Sequence, residues 1–214
     1  MPGRVQGKRA YVGTKRAIGA AETRQRILDA AHRLLERGDR SVLLSREVAA
    51  EAGVSRATIY KSVGSRRALL RAVFEDQGRL IDYERVRRAG QNPNSRVAVV
   101  DTVREACRAW SVMPGALRKV LALAVLDPEI GQLVAQYERY RRREIGDLAE
   151  LAHGAGAFGA GVTVEEARET LIVVTAFATF DMLQWDTGPT AATERLVRLA
   201  ETALRMESTS REER

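Results

Sequence analysis

Residues 48–70 read VAAEAGVSRATIYKSVGSRRALL, and two glycine-containing turn signals divide this stretch into three pieces with helical periodicity. The apolar residues before Gly53 share one helical face, and Gly53 itself can adopt the positive φ that ends a helix. Ser55 then supplies a hydroxyl that can cap the next helix by accepting a backbone N–H. A short helix, a tight turn and a second short helix predict a helix-turn-helix.

The second helix of this motif has two different faces. Val54 and Ile59 are apolar and are expected to pack inward. The other side chains are small, hydroxylated or basic, and they suit a DNA major groove, where Arg, Lys and hydroxyl groups meet base edges and phosphates. These residues are Arg56, Ala57, Thr58, Tyr60, Lys61 and Ser62. Taken alone, the motif also fits an ordinary helical hairpin with a polar surface, because such short patterns recur by chance.

An amphipathic helix precedes the motif, with Thr23 as its predicted N-cap and Gly38 as its predicted stop. From Thr23 to about Asp76 the sequence resembles the DNA-binding domain of the tetracycline-repressor (TetR) family of bacterial regulators. The resemblance covers about a quarter of the chain. It rests on three motifs that occur in order and at nearly the family spacing: TRxxILxAA from Thr23, EVAxxAGVSxxTIY from Glu47, and SRxxLL from Ser65.

The resemblance implies that the third helix, from Ser55 to Val63, enters the major groove, while the second crosses the DNA backbone. We predict that Arg56, Thr58, Lys61 and Ser62 face bases. We predict that Ser45, Ser55, Tyr60 and Arg66 contact phosphates.

Three departures from the family pattern leave the operator sequence open. Ser62 and Val63 stand where the family usually has His-Phe. The segment at residues 41–44 is one residue longer than usual, and Leu44 replaces a frequent capping threonine. Ser45 is therefore predicted to take over that cap and its phosphate contact.

Charge is concentrated at the N-terminal end of the chain. Residues 1–72 carry 16 Lys or Arg and 6 Asp or Glu, a net charge of +10, whereas the remainder has a net charge of −3. A cationic head on a mildly acidic body is typical of a protein that binds nucleic acid at one end. Residues 1–20 contain basic residues and no acid. They are predicted to form a flexible arm, which either only aids solubility or lies along DNA phosphates or in a minor groove.

The whole chain reads as helix, so the predicted fold class is all-α. A helix-turn-helix DNA-binding domain is expected at residues 21–72, a helical effector-binding and dimerisation domain at 73–207, and a frayed tail at 208–214. The fourth helix is expected to continue to about Arg88. Further helices are expected at residues 95–113, 115–126, 128–153, 163–185 and 190–206, with Ser95, Asp127 and Thr163 as N-caps. The last two resemble the pair that forms the family's four-helix dimer interface, which predicts a homodimer.

Motifs for catalysis or metal binding are missing from the sequence. His32 and His153 lie far apart, and no His, Cys and carboxylate residues share a metal-site spacing; His32 is expected to be a surface or packing residue. No phosphate-binding glycine loop follows a strand. We therefore expect no enzyme activity, no metal and no cofactor. A single cysteine, Cys107, is expected to be a small core residue and fits a reducing cytoplasm. Neither a signal peptide nor a membrane span is predicted.

The resemblance also implies an effector pocket in the C-terminal domain. The candidate lining residues, which suit a plain core equally well, are Trp110, Met113, Tyr137, Phe177, Phe180 and Met182. Because they include no paired charge set, the expected effector is a small hydrophobic or aromatic molecule.

These patterns together predict a homodimeric, cytoplasmic transcriptional repressor that binds double-stranded DNA at a pseudo-palindromic operator and leaves it when a ligand binds. One alternative is a regulator without a ligand, whose C-terminal domain only dimerises or binds a protein partner. Another is a helical ligand-binding or enzymatic protein whose basic head is incidental.

Overall fold

The computed structural model describes residues 6–37, 45–80 and 83–206. These residues form ten helices and no strand, which confirms the all-α prediction. The helices are α1 Gln6–Arg37, α2 Ser45–Ala52, α3 Arg56–Val63, α4 Arg66–Leu80, α5 Tyr83–Ala89, α6 Ser95–Val112, α7 Pro114–Leu126, α8 Pro128–Gly154, α9 Val164–Val174 and α10 Phe177–Ala203.

The chain divides into two compact units that differ from the predicted domains in one respect. The first unit comprises the N-terminal residues up to Gln77 together with residues 118–131, and the second comprises residues 78–117 and 132–214. Residues 118–131 therefore group with the N-terminal helices, although the sequence assigned them to the C-terminal domain.

Helices α1, α2 and α3 share one apolar core in the first unit. Its most deeply buried side chains are Ile27, Leu28, Val48 and Ile59. Ile27, Val48 and Ile59 lie at positions that helical periodicity predicted to face inward. Burying such side chains contributes about 1.5–3 kcal/mol each, so this seam is the main stabilising contact of the short helices.

The turn between α2 and α3 has the predicted geometry. Gly53 adopts a φ of 64°, and the amide of Val54 donates to the carbonyl of Ala49 at 2.9 Å. The hydroxyl of Ser55 accepts from the amide of Thr58 at 3.1 Å, as an N-cap should. Both turn predictions are confirmed.

Helix α1 starts much earlier than the sequence predicted. The expected flexible arm covered residues 1–20, but the helix begins at Gln6. The predicted N-cap, Thr23, lies inside this helix, where its hydroxyl donates to the carbonyl of Gly19 at 2.7 Å. Residues 6–22 contain no proline to stop the helix, and basic residues and alanines propagate it despite three glycines. The predictions for the tail at 208–214 and for residues 41–44 lie outside the described residues.

His32 is a packing residue, one of the two roles expected for it, and it joins α1 to α4. Its Nε2 lies 3.1 Å from Oδ2 of Asp76, and both side chains are almost fully shielded from solvent. Because a buried carboxylate is costly without a partner, this pair fixes where α4 lies on α1.

Several helix ends were predicted correctly and others were not. Oδ1 of Asp127 accepts from the amide of Glu129 at 3.0 Å, and Thr163 forms a reciprocal capping box with Glu166. Asn94, and not Ser95, caps α6, because its side chain accepts hydrogen bonds from the backbone amides of Arg96 and Val97. The fourth helix, predicted to continue to about Arg88, corresponds to α4 and α5, and residues 81–82 between them lie outside the described residues.

A break interrupts the helix predicted over residues 163–185. It lies at Thr175, whose hydroxyl donates to the carbonyl of Leu171 at 2.6 Å and accepts from Nη1 of Arg141 at 2.7 Å. The carbonyl of Thr175 accepts from the indole Nε1 of Trp110 at 2.9 Å. Side chains from two other helices thus satisfy the backbone and hydroxyl groups at the break, and the sequence around residue 175 carries no sign of them.

The second unit has its own core, in which α6 packs against α5 and α10, and α9 packs against α10. Phe180 is completely buried there. Cys107 is also buried, and that burial raises the pKa of its thiol to about 11. A thiol that stays protonated at neutral pH fits the predicted packing role.

The predicted break at Thr187-Gly188-Pro189 is present as a kink at Gly188, which adopts a φ of 76° inside α10.

Replacing Gly53 with alanine should lower the free energy of unfolding by about 1–2 kcal/mol, because alanine is strained at positive φ. No heavy atom outside the immediate backbone lies within 4 Å of an added Cβ at Gly53 or at Gly19. Gly19→Ala is therefore a matched control, and within α1 it should raise the free energy of unfolding by about 0.5–1 kcal/mol. Urea denaturation followed by circular dichroism measures both. Changes of the same sign would contradict the turn geometry and the extent of α1.

Candidate nucleic-acid interface

Helix α3 presents one face to solvent because its other face is buried. Ile59 and Val63 are both buried against α1 and α2. Lys61 is two residues from each of them, and two residues on an α-helix are separated by about 200°. Lys61 therefore lies at the centre of the exposed face. Tyr60 and Arg56 are also exposed, about 100° and 140° from Lys61 around the helix axis.

Two of the predicted base-reading residues lie at the margin of this face. Thr58 and Ser62 are only half exposed. The hydroxyl of Thr58 lies 2.9 Å from that of Ser55, so both hydroxyls take part in the cap of the helix. Ala57, which the sequence prediction did not assign to base contact, is fully on the exposed face and leaves room for a close approach.

The phenol of Tyr60 is held by a residue on the preceding helix. Its hydroxyl lies 3.0 Å from the hydroxyl of Ser45, which is buried at the start of α2. The hydrogen bond with Ser45, and after it the nearby guanidinium of Arg56, lower the pKa of Tyr60. Ser45 thus orients Tyr60, and it is less accessible than the predicted phosphate contact requires.

Arg66 has partners other than DNA in the structure. Its guanidinium donates to Asp127, and its Nη1 donates to Oε2 of Glu129 at 2.6 Å. These carboxylates belong to the corner between α7 and α8, within the first unit. The predicted phosphate role of Arg66 therefore competes with an ion-pair cluster that holds this corner against the start of α4.

Charge stabilisation at this corner is visible in the pKa of Asp127. Partial burial alone would raise that pKa, but the hydrogen bond from Arg66 and the backbone amides of α8 outweigh burial and lower it. The pKa of Arg66 is raised, first by its hydrogen bond to Asp127. Both shifts favour the charged forms, so the pair is ionised at neutral pH.

The exposed cations of α3 differ from Arg33 and Arg37 of α1, which are paired with a carboxylate. The carboxylate of Glu51 accepts hydrogen bonds from Arg33 at 2.8 Å and from Arg37 at 2.6 Å. The bond from Arg33, and then that from Arg37, lowers the pKa of Glu51 against the opposing effect of burial. Within the described residues, no carboxylate lies at salt-bridge distance from Arg56 or Lys61. Their charges are therefore available to an anionic partner such as DNA.

A cavity of about 290 Å³ lies within the second unit and bears on the predicted ligand residues. Trp110 lines it, with its ring edge-on to Phe177 at a centroid distance of 5.9 Å. The other five candidates are not part of this cavity wall: Met113, Tyr137, Phe177, Phe180 and Met182. Phe180 is core, whereas Met182 is 69% exposed. The sequence prediction missed Thr102 and Arg141, which line the cavity but carry no motif.

In the parts of the chain that the structure describes, no group of three or more His, Cys, Asp and Glu residues is placed to hold a metal ion. Within the same residues, no single helix is long and apolar enough to cross a membrane, and α6 with α7 reaches that length only as a bent pair.

Comparisons with known proteins agree with the geometry of α2 and α3. Residues 27–73 match the sequence profile of bacterial regulatory proteins of the tetR family. A structure described as a putative TetR-family transcriptional regulator from Rhodococcus sp. shares 20% identity, has a TM-score of 0.64, and aligns over 86% of this chain and 99% of its own.

Two further structures show the same fold at low identity. A tetR-family regulatory protein from Rhodococcus RHA1 has 18% identity and a TM-score of 0.65, covering 87% of this chain and 98% of its own. Salmonella enterica GusR has 18% identity and a TM-score of 0.63, covering 86% of this chain and 96% of its own. No curated protein has significant sequence similarity to the chain.

The first unit is thus a helix-turn-helix DNA-binding domain, with α3 as the helix that presents its exposed basic face. Residues 27–73 match the DNA-binding domain of the tetR family, and the chain shares its fold with structures described as TetR-family regulators.

Replacing Arg66 with glutamine should cost about 1–3 kcal/mol in the free energy of unfolding, since it leaves two carboxylates without their charged donor. Arg46→Gln is the matched control. That side chain is exposed and, among the described residues, forms a salt bridge only with the adjacent Glu47, so the cost should stay below about 0.5 kcal/mol. If Arg66 remains paired with Asp127 and Glu129 in the DNA complex, the salt dependence of DNA binding will be the same for the Arg66→Gln variant and the wild type. A decrease of about one unit in the slope of log K against log salt would assign Arg66 to a phosphate instead.

Proposed function

We propose that this protein is a homodimeric repressor that reads a pseudo-palindromic operator with α3 and leaves it when a small molecule binds in the second unit. The observation that carries the proposal is the exposed face of α3, where Arg56 and Lys61 have no carboxylate partner among the described residues. Free cations on a rigidly capped helix suit base edges and phosphates of the major groove.

The roles proposed for single residues follow from their positions on this face. Lys61 and Arg56 read bases, and Tyr60 positions the helix on a phosphate with its hydroxyl held by Ser45. Thr58 and Ser62, at the margin of the face, add base contacts near its edge.

A homodimer is supported by apolar side chains that are exposed on the last two helices. The most exposed are Val173 on α9, and Met182, Trp185 and Leu199 on α10. Apolar side chains of this size are costly to leave in water, and a second copy of the chain would cover them. Two copies would place two α3 helices in successive major grooves, with centres about 34–36 Å apart.

Release by a ligand is supported by the cavity of about 290 Å³ in the second unit. The cavity favours a ligand-responsive regulator over one whose C-terminal part only dimerises. A ligand acts here only through its differential affinity for DNA-competent and DNA-incompetent arrangements of the dimer. We propose neither an enzyme activity nor a cofactor, and the site of action is the bacterial cytoplasm, where the DNA is.

Fluorescence anisotropy at about 150 mM salt tests the proposal, because non-specific binding is weak under these conditions. Purified protein is titrated onto labelled DNA from upstream of its own gene and onto a scrambled version of that DNA. A specific regulator should prefer the upstream DNA by about 10³-fold or more, with two protomers per site. Equal and salt-sensitive binding to both DNAs would contradict operator recognition at this site.

Substitutions on α3 should separate base reading from phosphate contact. Arg56→Ala should weaken operator binding more than binding to scrambled DNA, because it removes a base-directed group. Tyr60→Phe should weaken both by the same factor, since only a hydroxyl directed at phosphate is lost. Anisotropy on the two DNAs measures both effects. Equal losses for Arg56→Ala on the two DNAs would remove it from the base-reading set.

A further inference from the structure

The cavity in the second unit has an apolar wall with a few polar groups. It lies between the end of α5, one face of α6 and one face of α8. Ala106, Ile145 and Leu148 are buried and provide part of the apolar wall. A cavity of about 150 Å³ is enough to bind benzene. At about 290 Å³, this cavity accommodates a compact organic molecule.

The two cations that line the cavity are already paired with carboxylates outside its wall. Arg141 is buried and donates through Nε and Nη2 to the two oxygens of Glu138, at 2.9 Å and 2.8 Å. Arg87 donates to Glu84 at 3.0 Å and 2.8 Å. Neither guanidinium is therefore an uncompensated charge that would draw an anion into the cavity.

Two carboxylates line the cavity near its solvent-exposed side. Asp147 is exposed and Glu144 is partly exposed. Burial, and after it the negative charge of Glu144, raises the pKa of the Tyr140 phenol. Solvent screens both carboxylates, so they repel an anion weakly and attract a cation weakly. An ion of either sign would lose its hydration in the cavity.

Most inner polar groups of the cavity are satisfied within the protein. The indole of Trp110 donates to the carbonyl of Thr175, and the hydroxyl of Thr175 bonds to both Leu171 and Arg141. The hydroxyl of Thr102 differs from these. Thr102 is 3% exposed and lines the cavity, and its Oγ1 has no hydrogen-bond partner among the described residues.

Helical threonines elsewhere in the second unit show how unusual Thr102 is. Thr187 and Thr193 each donate to the backbone carbonyl four residues earlier, both at 2.8 Å. Thr102 makes no such bond. Its Oγ1 lies next to Gly90, which also lines the cavity: a Cβ added to Gly90 would be 3.4 Å from this oxygen. A buried hydroxyl without a partner costs about 1–3 kcal/mol, which a ligand with one polar atom would recover.

We propose that the cavity binds a compact, uncharged, mainly apolar molecule that forms one hydrogen bond with the hydroxyl of Thr102. This assignment rests on the proposed function, and it names the chemical class of the effector. The sequence prediction of an apolar effector assumed that paired charges were missing. The structure has two Arg–Glu pairs at the cavity, and because each pair is compensated, neither arginine draws an anionic ligand.

Four probes of the same planar shape test the assignment. Acetophenone is neutral and accepts a hydrogen bond, α-methylstyrene is its hydrocarbon isostere, benzoate is an anion and benzamidinium is a cation. Ligand-observed NMR titration of the full-length protein without DNA should show acetophenone binding tightest. Benzoate or benzamidinium binding tighter than acetophenone, or no binding of acetophenone at millimolar concentration, would overturn the assignment.

Thr102→Val supplies the decisive variant. The shape of the side chain is kept and no protein partner is lost, so the melting temperature of the ligand-free protein should not fall. Affinity for acetophenone should fall about three- to tenfold, to that of α-methylstyrene, whose affinity should not change. Thr187→Val removes a hydroxyl that is already bonded outside the cavity. It should lower the melting temperature and leave the affinity for both probes unchanged.

An unchanged affinity of Thr102→Val for acetophenone would overturn the hydrogen bond and with it the proposal. Failure here is distinguishable from failure of the repressor function, because DNA preference is measured without any probe. Wild-type protein that prefers upstream DNA but binds no acetophenone overturns only the effector class.

Discussion

An eight-residue helix cannot keep its shape alone in water, and the function of this protein depends on such a helix. Isolated helices shorter than about 12–15 residues are marginal, because the nucleation cost exceeds the gain from a few hydrogen bonds. Helix α3 is held by burial of Ile59 and Val63 and by the cap from Ser55. The left-handed Gly53 sets the angle at which it leaves α2. These constraints fix the direction of its exposed face.

Electrostatics then decides what that face can bind. Glu51 pairs with Arg33 and Arg37, and the α7–α8 corner pairs with Arg66, whereas no carboxylate among the described residues pairs with the two cations of α3. Arg56 and Lys61 remain available, and the hydroxyl of Tyr60 is held beside them. The net charge of +10 on residues 1–72 attracts DNA, whereas this local pattern determines which surface meets it.

The sequence predicted what is set by neighbours along the chain. Turn and cap positions such as Gly53 and Ser55 follow from residue type and spacing within a few positions, and so do the buried faces of the first three helices. The predicted start of α1 was wrong. Glycines and basic residues near the N-terminus are typical of a flexible arm, but none of them stops a helix.

Contacts between distant residues could not be predicted. Arg66 meets carboxylates about 60 positions later, and the break at Thr175 is stabilised from two other helices. Sequence pattern and helix propensity do not show which side chains meet in space. They therefore predicted a phosphate contact for Arg66 and a single helix over residues 163–185. The unpartnered hydroxyl of Thr102 is hidden for the same reason, since it is defined by the absence of a neighbour.

Selection of binding sites from random-sequence DNA tests most directly whether the exposed face of α3 reads sequence. The wild-type protein should enrich an inverted repeat whose half-sites are separated by one helical turn, about 10–10.5 base pairs from centre to centre. The Lys61→Ala variant, which alters the centre of that face, should lose sequence information at the same position in both half-sites. No enrichment of any motif by the wild-type protein, or an identical motif from the variant, would contradict the assignment of α3.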